Sequence, residues 1–207
     1  MNRQPYLFAA AVLVAIAFSI GYAAGSGGLS GVGTPAAAPA AREDGISCYF
    51  SPRGGCTDAV VAEIEQAQHE IMVQAYSFTS HPIAEALIEA HRRGVKVTIV
   101  LDKSELKEHS LADEVAGAGI PTFVDDKHKI AHNKIILIDG RTIITGSFNF
   151  TTAAEHSNAE NLLILHDRSK LYAAYQQNFE HHLGHSVTFR GEGLGTRNEG
   201  KTTRVRF

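Results

Sequence analysis

The amino-acid sequence predicts an α/β domain: a mixed β-sheet flanked by α-helices. Two patterns carry that expectation. Between residues 56 and 125 helix-period and strand-period segments alternate, and between 131 and 166 strand patterns follow one another directly.

The elements follow in order. In "TDAVVAEIEQAQ" the spacing puts Val60, Val61, Ile64 and Ala67 on one helical face, with Thr57 as the N-cap. "EIMVQAYSF" reads as a buried strand. "HPIAEALIEAHRRG" carries Pro82 where the first turn of a helix tolerates it, apolar Ile83, Ala86, Leu87 and Ala90, and Gly94 as a stop. "VKVTIVLD" is the next strand, Ser110 to Ala118 a short helix ending at Gly119, and "IPTFVDD" a short strand. The hairpin "AHNKIILIDGRTIITGSFNF" follows, then the strand "AENLLILH" and a closing helix over Leu171 to Leu183. No internal repeat is visible.

The ends differ from this body. Arg3 opens the chain, Tyr6 to Ala24 is uncharged and almost wholly apolar, and no acidic residue precedes Glu43. Residues 1–24 therefore read as an export signal, or as a retained membrane anchor, since the run approaches the roughly 20 residues that span a bilayer. Residues 25–42 have the Gly/Ser then Ala/Pro composition of a linker, 43–189 form the folded domain, and 190–207 form a Gly-rich basic tail expected to be disordered. The expected location is periplasmic or secreted. With 207 residues, 44% of them hydrophobic, the chain supports one full-sized domain.

Charge divides the same way. From Glu43 to Phe189 there are 12 Lys plus Arg against 20 Asp plus Glu, a balance of −8, while residues 190–207 hold 5 basic and 2 acidic groups, or +3. An acidic body excludes a passive nucleic-acid binder that relies on a basic face. Any polyanion has to be held locally. The two cysteines, Cys48 and Cys56, lie close enough in an exported chain to suggest a disulfide loop worth roughly 2–3 kcal/mol, with free thiols as the alternative. Without a companion Cys-x-x-Cys they make a poor zinc site.

The hairpin carries the chemistry. A two-residue Asp139–Gly140 turn would set His132 opposite Ser147 and Lys134 opposite Thr145, collecting His132, Lys134, Ser147 and Asn149 on one face. The run Ile135 to Ile138 indicates burial on both sides, where a lone lysine is costly. A buried cation needs an anion. A tetrahedral phosphate suits the set: Lys134 supplies charge, Ser147 and Asn149 supply hydrogen bonds, and imidazole is a nucleophile or acid near neutral pH. Glu160, at the start of the next strand, is the candidate orienting carboxylate, and Asp139 has the opposite parity and a turn position that explains it.

The pattern His132-x-Lys134-x4-Asp139-x6-Gly146-Ser147-x-Asn149 resembles the HKD signature of the phospholipase D superfamily, complete in every position. The resemblance runs from Tyr49 to about His185, through "YFSPRGGC", "QAYSFTS" and "NAENLLIL", and is nearest to the small single-motif bacterial endonucleases of that superfamily. It implies a phospholipase D-like fold with one motif per chain. His132 would attack phosphorus to form a phosphohistidine, a second motif histidine would protonate the leaving oxygen, and water would release the product. Lys134, Ser147 and Asn149 would hold the phosphoryl oxygens, with Glu160 orienting His132. The resemblance implies no cofactor and no metal.

The chemistry wants two motif histidines and the chain has one motif, so a homodimer with the site on its two-fold axis is implied. The expected activity is non-specific hydrolysis of DNA or RNA. The alternative is a phospholipase D acting on a head group such as that of phosphatidylcholine or cardiolipin. Among other histidines, His181, His182 and His185 have spacing that suits a metal on one helical face, although a solvated helix end favoured by the helix dipole is the simpler account. His156 lies between the hairpin and Glu160, and Lys127 and Lys129 precede the hairpin, either as contacts to a nucleic-acid backbone or, equally, as a solvated charge run. His81, His91 and His109 have no assigned role.

Overall fold

The computed structural model describes residues 38–106 and 110–191. The expected export segment 1–24, the linker up to residue 37 and the basic tail from 192 onward lie outside the described residues. Among the described residues no helix is long and apolar enough to cross a membrane.

Nine strands form one sheet: β1 (Ala41–Glu43), β2 (Ile46–Ser51), β3 (Glu70–Ala75), β4 (Lys96–Asp102), β5 (Thr122–Asp125), β6 (Lys134–Ile138), β7 (Thr142–Gly146), β8 (Glu160–His166) and β9 (Val187–Thr188). Their order is β1-β2-β8-β7-β6-β3-β4-β5-β9. Strands β3, β4 and β5 are parallel, because helices cross between them, and every other pairing is antiparallel. The helices are α1 (Cys56–Glu65), α2 (His81–Arg92), α3 (Ala112–Gly117), α4 (Thr152–His156) and α5 (Ser169–His185). Strands β1, β2 and β9 and helix α4 were not foreseen. Strand β1 takes the end of the expected linker: Ala41 pairs with Cys48 and Arg42 with Ser47.

Two apolar layers explain the unbroken aliphatic runs. Ile136, Ile138, Val73 and Ile99 face α1, α2 and α3, joining Val60, Ile64, Ile83, Leu87 and Val115. Ile135, Leu137, Met72 and Val100 face α5, joining Tyr172 and Phe179. A strand covered on both faces loses the polar alternation of a half-exposed one.

The hairpin register differs from expectation by one residue. Ile138 pairs with Thr142 and Ile135 with Thr145, so Asp139, Gly140 and Arg141 all lie in the loop. Both Asp139 (φ 50) and Gly140 (φ 72) are left-handed, and the Arg141 N–H donates to Ile138 O at 3.0 Å. The loop is shaped by what Asp139 holds. Its carboxylate accepts from the N–H groups of Gln68 (2.7 Å), His69 (2.8 Å) and Glu70 (2.8 Å), tying the hairpin to the start of β3. Burial alone would raise its pKa, but these three donors hold the carboxyl below its ordinary value.

Two further expectations are corrected. Helix α1 begins after Gly55, and Thr57 is not its cap: the buried Glu155 carboxylate accepts from Gly55 N (3.0 Å) and Thr57 N (2.7 Å), a cap supplied from a distant segment. Cys48 and Cys56 are free thiols and form no disulfide. The sheet separates them. Tyr49 enters the same core layer as Cys56, and Cys48, its neighbour on β2, alternates to the other face. Burial, with the charge of Glu155 adding to it, pushes the Cys56 thiol up to about 12.

Asp139→Ala is expected to cost about 1.5–3 kcal/mol in urea denaturation, the range for hydrogen bonds to a charged group. Because the folded pKa lies below the unfolded value of about 3.9, that contribution is complete above pH 4. The wild-type advantage should shrink as pH falls below that value; an advantage constant down to pH 2 would remove Asp139 as its source.

Candidate active site at the rim of the hairpin

His132 stands two residues ahead of β6, and backbone contacts from neighbouring strands place it. The N–H of Tyr76, just past the end of β3, donates to Asn133 O at 2.9 Å. The N–H of Ala131 donates to Asp102 Oδ2 at 2.5 Å. Asp102 is fully buried at the end of β4, and its other oxygen accepts from the backbone and hydroxyl of Ser104. Two strands thus grip the chain on either side of His132.

The His132 side chain is exposed, and its ring lies against Tyr76 with centroids 4.4 Å apart. Lys134, the first residue of β6, is only 7% exposed. Its Nζ donates to His132 O at 2.7 Å and sits 5.0 Å from the centre of the Tyr76 ring, a cation–π contact. Burial pushes the ammonium below its ordinary pKa and the charge of Glu160 opposes that shift. Tyr76 is therefore a common platform for imidazole and ammonium. Sequence reasoning assigned no role to Tyr76 or Asp102. The signal for Asp102 was a carboxylate closing an otherwise buried parallel strand.

After β7 the chain departs from regular alternation. With the corrected register, Ser147 would fall on the face opposite Lys134. A bulge breaks that parity: the N–H groups of Ser147 and Phe148 both donate to Asn161 O, at 3.0 and 3.2 Å. Gly146 (φ 146) permits it, since a Cβ there would meet Asn161 O at 2.2 Å. This is what the motif glycine is for.

Ser147 is engaged within the chain, its Oγ donating to Asn161 Oδ1 at 3.0 Å and accepting from Asn161 N at 3.1 Å. Asn149 Oδ1 is buried with no hydrogen-bond partner, so that acceptor is not satisfied by the chain itself. Glu160 accepts from Asn158 Nδ2 at 3.2 Å, and its own N–H donates to Ser51 Oγ at 3.2 Å. Among the described residues no hydrogen bond joins Glu160 to His132. The structure thus brings His132 and Lys134 into direct contact, sets Glu160 within electrostatic reach of Lys134, and leaves Ser147 turned to Asn161. His156 lines a separate shallow pocket with Arg53, Thr57 and Thr152. Lys127 and Lys129 are exposed in the loop between β5 and β6.

The site thus sets an exposed histidine and a buried lysine two residues apart, on a hairpin fastened by Asp139 and bulged at Gly146. Residues 60–183 match the family described as cardiolipin synthase, PLD-like domain. A phospholipase D of Rickettsia typhi is 44% identical over 146 residues, 70% of this chain and 71% of that protein. The chain belongs to the phospholipase D superfamily. A phospholipase D of Rickettsia prowazekii is 47% identical over 135 residues, covering 65% of each protein, so the chain matches just under two thirds of that relative. The crystal structure of Nuc from Salmonella typhimurium, a phospholipase D family member, superposes with a TM-score of 0.68 at 35% identity, over 70% of this chain and 98% of that one. The mixed, helix-flanked sheet is the fold of that superfamily.

Gly146→Ala is expected to destabilise by at least about 1–3 kcal/mol and to cut turnover sharply, because backbone rather than side chain must move. Gly140→Ala meets no atom within 4 Å and carries only the cost of its left-handed backbone, about 1 kcal/mol. Paired urea melts showing equal losses would contradict the bulge account.

Proposed function

We propose that the protein hydrolyses phosphodiester bonds in DNA or RNA without sequence preference, through a covalent phosphohistidine on His132 and with no metal in the chemical step. A ring nitrogen of His132 attacks phosphorus, and the bond from phosphorus to the leaving oxygen breaks as a second imidazole gives that oxygen its proton. Water then attacks phosphorus, the second imidazole takes its proton, and the P–N bond breaks. Lys134 balances the phosphoryl charge and the Asn149 Nδ2 group donates to the phosphoryl oxygens; for the Ser147 hydroxyl to join them it would have to leave Asn161 Oδ1. Glu160 supports the site through its field on Lys134; an orienting bond to His132 would require it to leave Asn158.

The observation that carries this reading is the exposed His132 ring, held on Tyr76 beside a buried ammonium. An exposed nucleophile at a sheet rim is open to a long polymer backbone, and the features it would engage are those all nucleotides share. The second imidazole is proposed to be His132 of a second copy in a homodimer, which would also bring two Lys134 ammoniums to one phosphate. Export remains the proposed location, on the strength of the Arg3 and Tyr6 to Ala24 pattern.

Two observations favour phospholipid as the second reading. The Rickettsia relatives are named phospholipase D, and Ile130, two residues from His132, is 48% exposed and apolar. Assays of the purified chain on plasmid DNA, single-stranded RNA, and phosphatidylcholine and cardiolipin vesicles separate the readings. Faster turnover of nucleic acid is expected; cleavage confined to vesicles would replace the first reading by the second. His132→Asn should lower turnover about 10³-fold or more while leaving the fold and oligomeric state intact. Specific activity should fall on dilution in step with dimer content measured by size exclusion, and a fully active monomer would remove the shared site.

A further inference from the structure

The end of α5 is not the solvated helix terminus that its sequence suggests. His182 is buried, and both His182 and His185 meet Asp125, the last residue of β5 and fully buried beneath them. His128 joins from the loop that follows β5. Sequence spacing showed the two helix residues but had no means of showing Asp125 and His128, which arrive from a segment about 57 positions away.

The arrangement is convergent. Asp125 Oδ2 lies 2.7 Å from His182 Nδ1, 2.9 Å from His128 Nδ1 and 3.2 Å from His185 Nε2. Its other oxygen, Oδ1, is occupied by the N–H groups of Lys127 (3.0 Å) and His128 (3.3 Å), which fix the carboxylate in place. The four ligand-type atoms all lie within 4.8 Å of one another. The rings are mutually close, with centroids 4.8 to 5.4 Å apart.

Hydrogen bonding alone does not account for this geometry. One carboxylate oxygen would have to accept from three imidazoles, and His185 Nε2, buried, makes no hydrogen bond. Protonating all three rings would crowd three positive charges around one negative one. A cation at the centre resolves both problems, because neutral imidazoles then direct lone pairs inward and the carboxylate becomes a ligand. A tetrahedral zinc site has bonds of about 2.0–2.2 Å, hence ligand-to-ligand edges of about 3.3 Å; the Asp125–imidazole edges of 2.7 to 3.2 Å would lengthen slightly and the widest separations, within 4.8 Å, would shorten, both within reach of small side-chain rotations.

We propose that Asp125, His128, His182 and His185 form a four-ligand site for a first-row divalent cation, zinc in the first instance. Four protein ligands leave no open position, so the metal is structural rather than catalytic. It joins the end of α5 to the loop that reaches His132 four residues after His128, the same loop that Asp102 grips at Ala131. The His128 side chain is 45% exposed and provides the way in. His181, exposed beside the cluster with its ring 5.3 Å from that of His185, is not a ligand. The inference is independent of the phosphoryl chemistry proposed above.

The test uses the full chain purified without a polyhistidine tag. After incubation with zinc and exhaustive dialysis, elemental analysis should find one zinc per chain, and chelation should lower the thermal midpoint, with zinc restoring it. Cobalt in place of zinc should give visible absorption of tetrahedral intensity. His128→Ala and His185→Ala should each weaken zinc binding by about 10- to 100-fold or more, His156→Ala should leave it unchanged, and His132→Asn should retain full zinc, so a failed nucleophile assignment would not disturb this result. Should His185→Ala fail to fold, His128→Ala, with its partly exposed ring, decides alone. Substoichiometric zinc in the wild type, or wild-type affinity in His128→Ala, would overturn the site.

Discussion

A lysine placed at the start of a strand covered on both faces is the constraint from which the rest of the site follows. Lys134 cannot leave its charge unanswered at 7% exposure, so the carbonyl of His132, the face of Tyr76 and the field of Glu160 are gathered round it. Each contact also fixes something else. The bond to His132 O sets the backbone of the proposed nucleophile, and Tyr76 carries both the ammonium and the imidazole. None of these partners is a full counter-ion in contact. The site is therefore short of negative charge at the place where a phosphate would supply it, within a domain whose overall balance is acidic.

The sheet makes this arrangement stiff. β3 and β4 end beside the start of β6, and each lends one contact to the segment that carries His132: a backbone donor from Tyr76 and a carboxylate from Asp102. On the far end of the hairpin, Asp139 fastens the turn to three N–H groups at the start of β3. The motif residues are thus of two kinds. Some are those proposed to meet the phosphate, and others hold the hairpin to its neighbours at both ends.

Much of this was legible in the sequence, and what was not has identifiable causes. The order of helices and strands from α1 to α5, the short α4 apart, followed from hydrophobic period, and the mixed sheet followed from that order. The set His132, Lys134, Ser147, Asn149 could be named, but its grouping on one face assumed a two-residue turn. Three acceptor bonds at Asp139 and a bulge at Gly146 change the register and the parity, and both depend on contacts with other segments. For the same reason the cap on α1 was misassigned: Glu155 lies about 98 positions from Thr57. The cysteines are near in sequence, yet alternation along β2 places a sheet between them. The histidines of α5 looked solvated because their partner, Asp125, belongs to a strand that only the fold brings beneath them.

The central claim is that the His132 ring becomes bonded to phosphorus during turnover. The most direct measurement is mass spectrometry of enzyme quenched in alkali during turnover of a short labelled oligonucleotide, since a phosphoramidate survives base and is lost in acid. The account predicts an adduct on the peptide containing His132 made of the phosphoryl group and the nucleotide still esterified to it, absent after an acid quench. Turnover with His132 unmodified throughout, or an adduct on any other residue, would contradict it.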